Sequence, residues 1–194
     1  MSRPIPVEIV PSHLHLSEAD HVALFGSGHV LTVTHTLSQN GQFAYQETVE
    51  VFGRLKRGLT LRVLGPHRKT SQVEVTPTEA EFLGLDCTEA KSGDLRQAAP
   101  CRLKGPSGEI TLDAAVIIPR PHLHVSDHEA KSLRLENGAE VSVDVIGDHP
   151  RVLEHVIVRV HPTYRARLHI HGDIARSEWL AGVHHVRVRE MHHV

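Results

Sequence analysis

Apolar and polar residues alternate along much of this chain. Val141, Val143 and Val145 are separated by polar residues, and Val156, Val158 and Val160 recur at the same spacing. Side chains of a strand point alternately to its two faces, so a period of two marks half-buried strands, and helical periodicity is weak by comparison. Glycine and proline fall between short segments, at Gly26/Gly28, Gly53, Gly58, Gly65-Pro66, Gly105-Pro106, Asn137-Gly138 and Gly147. Such punctuation belongs to closely connected strands. The pattern predicts a mainly β protein built as barrels or sandwiches rather than as a parallel α/β sheet.

A duplication is visible in the same pattern. His13-Leu14-His15-Leu16-Ser17-Glu18-Ala19-Asp20 aligns with His122-Leu123-His124-Val125-Ser126-Asp127-His128-Glu129, each residue 109 positions after its counterpart. In both copies a serine stands three residues before Asp or Glu, which is a capping-box-like helix start. The predicted short helices run through His21 to Phe25, ending at Gly26, and through Ala130 to Leu135, ending near Asn137-Gly138. Arg62-Val63-Leu64-Gly65-Pro66 and Arg102-Leu103-Lys104-Gly105-Pro106 read as strands closed by turns, and Asp86 to Pro100 as a polar surface excursion.

Composition narrows the function. With 194 residues, 40% apolar and 23% charged, the chain can bury a core. A formal charge of −2, with a basic cluster only at Arg54 to Arg57, gives no long-range attraction to nucleic acid or an anionic membrane. No apolar run approaches the ~18 residues needed to cross a bilayer, so the expectation is a cytoplasmic protein with neither nucleic-acid nor membrane partners. Cys87 and Cys101 form no CxxC motif. The 18 histidines are the outlier, and imidazole is the commonest ligand for zinc-like metals. His184, His185, His192 and His193 read as solvated.

On a strand, residues i and i+2 share a face, so His13 and His15 can reach one metal while Leu14 and Leu16 pack on the other side. One such pair is more simply explained as polar residues on an exposed strand face; two pairs at duplicated positions favour ligands. Each pair still needs a further ligand. Glu74, on the alternating run Gln72-Val73-Glu74-Val75, is available to the first, and His169-Ile170-His171 to either. Arg68, in the turn before Glu74, is a candidate fork for an oxyanion such as phosphate. The helix start after each pair favours an anionic ligand as well. There is no Gly-x-Ser-x-Gly elbow, phosphate-cradling glycine loop or dinucleotide fingerprint, so the expected chemistry is metal-centred direct transfer.

Taken together these motifs resemble the PduL family of phosphotransacylases, the phosphate propanoyltransferases. The resemblance spans the chain, through Ile5-Pro6-Val7, His13 to Ser17, Leu37 to Phe43, Val63-Leu64-Gly65-Pro66-x-Arg68, Gln72-Val73-Glu74, Ser92 to Leu95, Val116 to Ile118, His122 to His124 and Leu168 to Ile170. It implies two helix-capped β-barrels, residues 12–119 and residues 1–11 with 120–194, the N-terminal strand completing the C-terminal barrel. It implies two divalent metals, usually zinc. By position His13, His15 and Glu74 would hold one metal, which meets the coenzyme A sulfur, and His122, His124 and His169 the other. Arg68 would bind phosphate as the catalytic residue, with Arg62 and Leu64 on the coenzyme A side. The implied reaction interconverts a short-chain acyl-CoA plus phosphate with an acyl phosphate plus CoA at a dimetal site; a homodimer is left open.

The departures from the family pattern lie around these ligands. Ser12 and Pro121 stand where Arg is usual, Arg120 being one step earlier. Val10, His35 and Arg176 replace the usual small residue, Lys and Asn on the coenzyme A side, and His171 stands where Asp is usual and is placed to compete for metal. The first strand begins by about residue 5, leaving no evident microcompartment-targeting extension. Two other readings fit the same ligands: a metal-dependent thioester or phosphoester hydrolase, and a non-catalytic metal-binding β protein.

Overall fold

A computed structural model of the chain describes residues 3–147, 150–178, 180 and 182–189. They divide into two compact units, one of residues 11–119 and one that joins the N-terminal strand β1 (Ile5–Val10) to the chain from residue 120 onward. The first unit contains β2 (His13–His15), α1 (Glu18–Phe25), β3 (Val33–Thr36), β4 (Phe43–Phe52), β5 (Gly58–Gly65) and β6 (Gln72–Glu74). It continues with α2 (Pro77–Leu83), β7 (Glu89–Ala90), β8 (Ala99–Lys104) and β9 (Glu109–Pro119). The second adds β10 (His122–Val125), α3 (Asp127–Leu133), β11 (Glu140–Ile146), β12 (Arg151–Val160), β13 (Arg167–His171), α4 (Gly172–Ser177) and β14 (His185–Val188) to β1.

Each unit is a closed six-stranded barrel. The first runs β2-β6-β9-β8-β4-β5 and back to β2, with β3 and β7 as side strands on β4 and β9. The second runs β1-β13-β10-β12-β11-β14 and back to β1. Closure leaves no unpaired sheet edge within the ring.

The two rings share one topology. β2 has a parallel neighbour, β5, and an antiparallel one, β6; β10 likewise has β12 and β13. β6 then pairs in parallel with β9, and β13 in parallel with β1. The N-terminal strand therefore does in the second barrel what β9 does in the first, and the duplication read from the two His-x-His segments extends to whole barrels.

The alternation seen in the sequence becomes the barrel interiors. Leu14, Leu16, Val49, Val51, Val63, Val73 and Leu103 are almost wholly buried in the first core, and Leu123, Val125, Val143, Val156, Val158, Leu168 and Val186 in the second. Burying one such side chain contributes roughly 1.5–3 kcal/mol. Val160 is only partly buried, at the end of β12.

Both predicted helices form, with different ends. Ser17 Oγ accepts the Asp20 N–H at 3.1 Å, and α1 stops at Gly26, whose φ of 93° suits glycine. Ser126 and Glu129 make the full reciprocal capping box. α3 ends at Leu133, two residues short of the expected Leu135, because Arg134 turns left-handed at φ 55°. A second capping box, Thr76 with Glu79 and Pro77 at the first helical position, starts α2 and escaped the sequence reading. Among the described residues no helix is long and apolar enough to cross a membrane.

Candidate metal centres

The first His-x-His lies on β2 between β5 and β6. Leu14 and Leu16 enter the core, while His13 and His15 take the opposite face and are nevertheless only 6% and 4% exposed. Simple solvated strand histidines would not be buried this way. The ladder sets His13 opposite Glu74 and His15 opposite Gln72. His13 Nδ1 lies 2.9 Å from the Pro11 carbonyl, which directs Nε2 toward Glu74, 3.7 Å from Oε2. The Leu64 backbone carbonyl accepts a hydrogen bond from the His15 ring, whose buried Nδ1 has no partner. Burial first, then the charges of Arg68 and His13, hold the His15 imidazole down at about 3, so it is a neutral lone-pair donor.

Glu74 is a carboxylate in an unfavourable place made favourable. Burial pushes its pKa up, but His13, the Ser92 hydroxyl, Arg68 and His15 together outweigh that and hold it at about 2. Ser92 Oγ donates to Glu74 Oε1 at 2.6 Å, and the Gln72 amide donates to the same oxygen at 2.5 Å. Gln72 is fixed in turn by the Gly93 N–H, 2.8 Å from its Oε1. Arg68 Nη1 reaches Ser92 Oγ at 3.3 Å, and the Arg68 backbone N–H is tied to the Leu16 carbonyl at 2.9 Å. Thus Arg68, half-buried, is fastened to the strand that carries the histidines.

This network corrects one expectation. Asp86 to Pro100 is not only a surface excursion, since its Ser92-Gly93 turn folds back to hold Glu74 and Gln72. Polar composition hid it; no local pattern says that one serine of a polar loop returns to a buried carboxylate. At the start of α1 the Asp20 carboxylate accepts from the Ser17 and Ser71 hydroxyls at 2.7 and 2.5 Å.

The second His-x-His repeats the arrangement on β10. His122 stands opposite His169 in the β10–β13 ladder, and the Nδ1 of His122 is 2.9 Å from the Arg120 carbonyl, two residues back as in the first copy. Such an outer hydrogen bond fixes which nitrogen a ligating imidazole presents. Ligand atoms of His122, His124 and His169 all lie within 4.8 Å of one another. Both ring nitrogens of His124 and Nε2 of His169 are buried without a hydrogen-bond partner. Burial, then His122, His169 and Arg159, push the His124 pKa far down. Unpaired buried nitrogens are costly, and three imidazoles whose ligand atoms gather this closely are what a zinc-like ion satisfies. The donor set fits a metal.

Of the other predicted positions, Arg62 is the register neighbour of His13 and Leu64 bonds His15 through its backbone. His171 does not join His169: its Nδ1 accepts the Ile174 N–H at 3.4 Å and caps α4. Arg62 is exposed and donates to the Tyr45 carbonyl at 2.5 Å. Leu64 is half-buried beside Ala44 in the ladder. Ser12 donates to Glu79, and Arg120 pairs with Glu140 at 2.8 Å. Val10 lies opposite His171, His35 is exposed on β3, and Arg176 is exposed and paired with Asp173. His184 and His185 are exposed, whereas His192 and His193 lie outside the described residues. Burial raises both thiols, Cys87 to about 11 and Cys101 to about 12, which leaves neither as a nucleophile at neutral pH.

Sequence reasoning missed Gln72 and Ser92 as partners of Glu74, and it missed Glu8. Glu8, on β1, is the register neighbour of His169, with Oε2 3.4 Å from its Nε2.

Comparison with known proteins agrees with the motifs. The phosphate propanoyltransferase family model matches residues 6–180. The phosphate propanoyltransferase of Citrobacter rodentium is 39% identical over 90% of this chain and 83% of its own length. That of Lachnoclostridium phytofermentans is 39% identical over 89% of this chain and 81% of its own, and that of Salmonella typhimurium 37% identical over 90% and 83%. On this similarity across both barrels, the chain belongs to the phosphate propanoyltransferase family, a family of phosphate acyltransferases.

Proposed function

We propose that this protein interconverts a short-chain acyl-CoA and phosphate with an acyl phosphate and CoA by direct transfer. In this reading His13, His15 and Glu74 hold one divalent metal and His122, His124 and His169 a second, zinc being the expected ion. Bound there, a metal supplies Lewis acidity toward the thioester carbonyl and stabilises the departing thiolate.

The observation that supports this most is the coupling of Arg68 to the first set. Its charge is felt by both His15 and Glu74, and its guanidinium is steadied by Ser92. A planar cation so placed binds phosphate in a bidentate way. It neutralises the nucleophile's charge and turns one phosphate oxygen toward the acyl carbon. As that C–O bond forms, the C–S bond breaks, the electron pair leaves on sulfur, and the proton given up by phosphate balances the thiolate. Holding the two reactants together replaces an acyl-enzyme, in keeping with two thiols that burial keeps protonated. The name of the relatives, phosphate propanoyltransferase, points to propanoyl as the acyl group to try first.

The test is release of CoA from propanoyl-CoA, followed with a thiol reagent, in Arg68→Ala and Glu74→Ala. Each is expected to lose at least 100-fold in turnover, Arg68→Ala mainly at low phosphate. Near-normal rates in both would overturn the reading.

A further inference from the structure

The face of the second barrel that carries His122 and His169 also carries a carboxylate, Glu8. Glu8 flanks His169 in the β1–β13 ladder, and His122 flanks it on the other side in the β10–β13 ladder. Laterally paired residues share a face, so His122, His169 and Glu8 form one row across three strands. The corresponding row of the first barrel is His13, Glu74 and Ile117, and Ile117 is wholly buried. Where the first barrel has hydrocarbon, the second has a carboxylate.

Which nitrogen Glu8 faces decides its role. An outer-shell acceptor orients a ligating imidazole through the nitrogen that does not bind metal, as the Arg120 carbonyl does at Nδ1 of His122. Glu8 Oε2 is instead 3.4 Å from Nε2 of His169, the buried nitrogen that has no hydrogen bond. Two ligands about 2.0–2.1 Å from a tetrahedral ion are themselves ~3.3 Å apart. The observed separation is that of co-ligands. Arg167 Nε, 3.5 Å from the same Oε2, holds the carboxylate on this face.

We propose that Glu8 is the fourth protein ligand of the ion held by His122, His124 and His169, giving a closed three-nitrogen, one-oxygen shell. The inference rests on the reading that this histidine set binds metal. A site closed by four protein ligands retains its ion and takes no exogenous ligand, whereas three ligands leave a position for substrate. The second-barrel ion is then a resident one, and the open coordination position belongs to the set of His13, His15 and Glu74.

The experiment uses the full chain carrying His13→Ala and His15→Ala, so that one site remains, loaded with Co2+ and checked for folding by circular dichroism. Co2+ affinity is measured against a competing chelator, and a small thiol is added while the near-ultraviolet thiolate-to-cobalt band is followed. The parent is expected to show no such band. Adding Glu8→Gln is expected to weaken Co2+ at least tenfold and to let the band appear; adding His124→Ala should remove the ion. If His124→Ala loses the ion while Glu8→Gln keeps parental affinity, or if the parent already gives the thiolate band, Glu8 is not the fourth ligand and the three-histidine site stands. If His124→Ala keeps the ion, the metal reading of this site fails and the Glu8 assignment falls with it.

Discussion

Glu74 and His169 hold the same place in the two barrels. Glu74 faces His13 from the antiparallel strand next to the first His-x-His, as His169 faces His122 from the antiparallel strand next to the second. One ladder position therefore carries a carboxylate in one copy and an imidazole in the other. The first set includes a carboxylate, and the second has none until Glu8 is counted.

Removing either residue should remove one ion. Metal analysis of the purified chain after mild chelation is expected to give about one ion fewer per chain for Glu74→Ala and for His169→Ala than for the parent. Glu74→His should restore the ion with three imidazoles, because the ladder already places a histidine there in the other barrel. Unchanged metal content in both alanine variants would contradict the ligand sets.

Ser92 links the Arg68 guanidinium to the Glu74 carboxylate, donating to Glu74 at 2.6 Å and accepting from Arg68 at 3.3 Å. Ser92→Ala should raise the KM for phosphate and lower kcat/KM by about tenfold, the size of one charge-assisted hydrogen bond of roughly 1.5 kcal/mol. Thermal stability should barely change, since the side chain is half-exposed. Steady-state kinetics against phosphate together with a melting curve checks both.

The metal-free chain should lose stability in mild acid. His15 is lowered from 6.5 to about 3, so below about pH 6.5 the unfolded chain takes up a proton that the folded chain refuses. The buried His124 is lowered in the same direction. Their contribution is present above pH 6.5 and declines as pH falls toward 3, at up to ~1.4 kcal/mol per pH unit for each group. Glu74, lowered from 4.5 to about 2, contributes fully above 4.5 and loses its part only below that. The Tm of the chelated protein is expected to be level between pH 7.5 and 8.5 and several degrees lower at pH 5. A level Tm down to pH 5 would contradict the buried, neutral histidines.

The helix after the second His-x-His depends on its cap. Ser126→Ala removes the acceptor of the Glu129 N–H and the donor to the Glu129 carboxylate, 3.2 and 2.8 Å away. A loss of about 1 kcal/mol is expected, read as a lower urea midpoint with an unchanged m-value.

How much of this could be read from the chain follows from the range of each interaction. Strand alternation, the two capped helices and the duplicated His-x-His are local, and all three are visible in a few consecutive residues. The resemblance carried the ring closure by β1, which no local pattern states, because a strand at residue 5 pairing with one at residue 168 leaves no periodic trace. Ser92 and Glu8 are distant in sequence from the side chains they touch, so only the folded chain reveals them, Ser92 by its hydrogen bond to Glu74 and Glu8 by the register of β1 with β13. His171 misled for the opposite reason: it shares the spacing of a ligand pair, but the strand ends there and its ring turns to cap α4.

The central claim is transfer to phosphate, and the most direct measurement is CoA release from acetyl-, propanoyl- and butanoyl-CoA by the metal-replete chain, with and without phosphate, alongside assay of the acyl phosphate. CoA release that needs phosphate, with acyl phosphate formed in equal amount, is the expected result. CoA release at the same rate without phosphate, and no acyl phosphate, would contradict the account and identify hydrolysis instead.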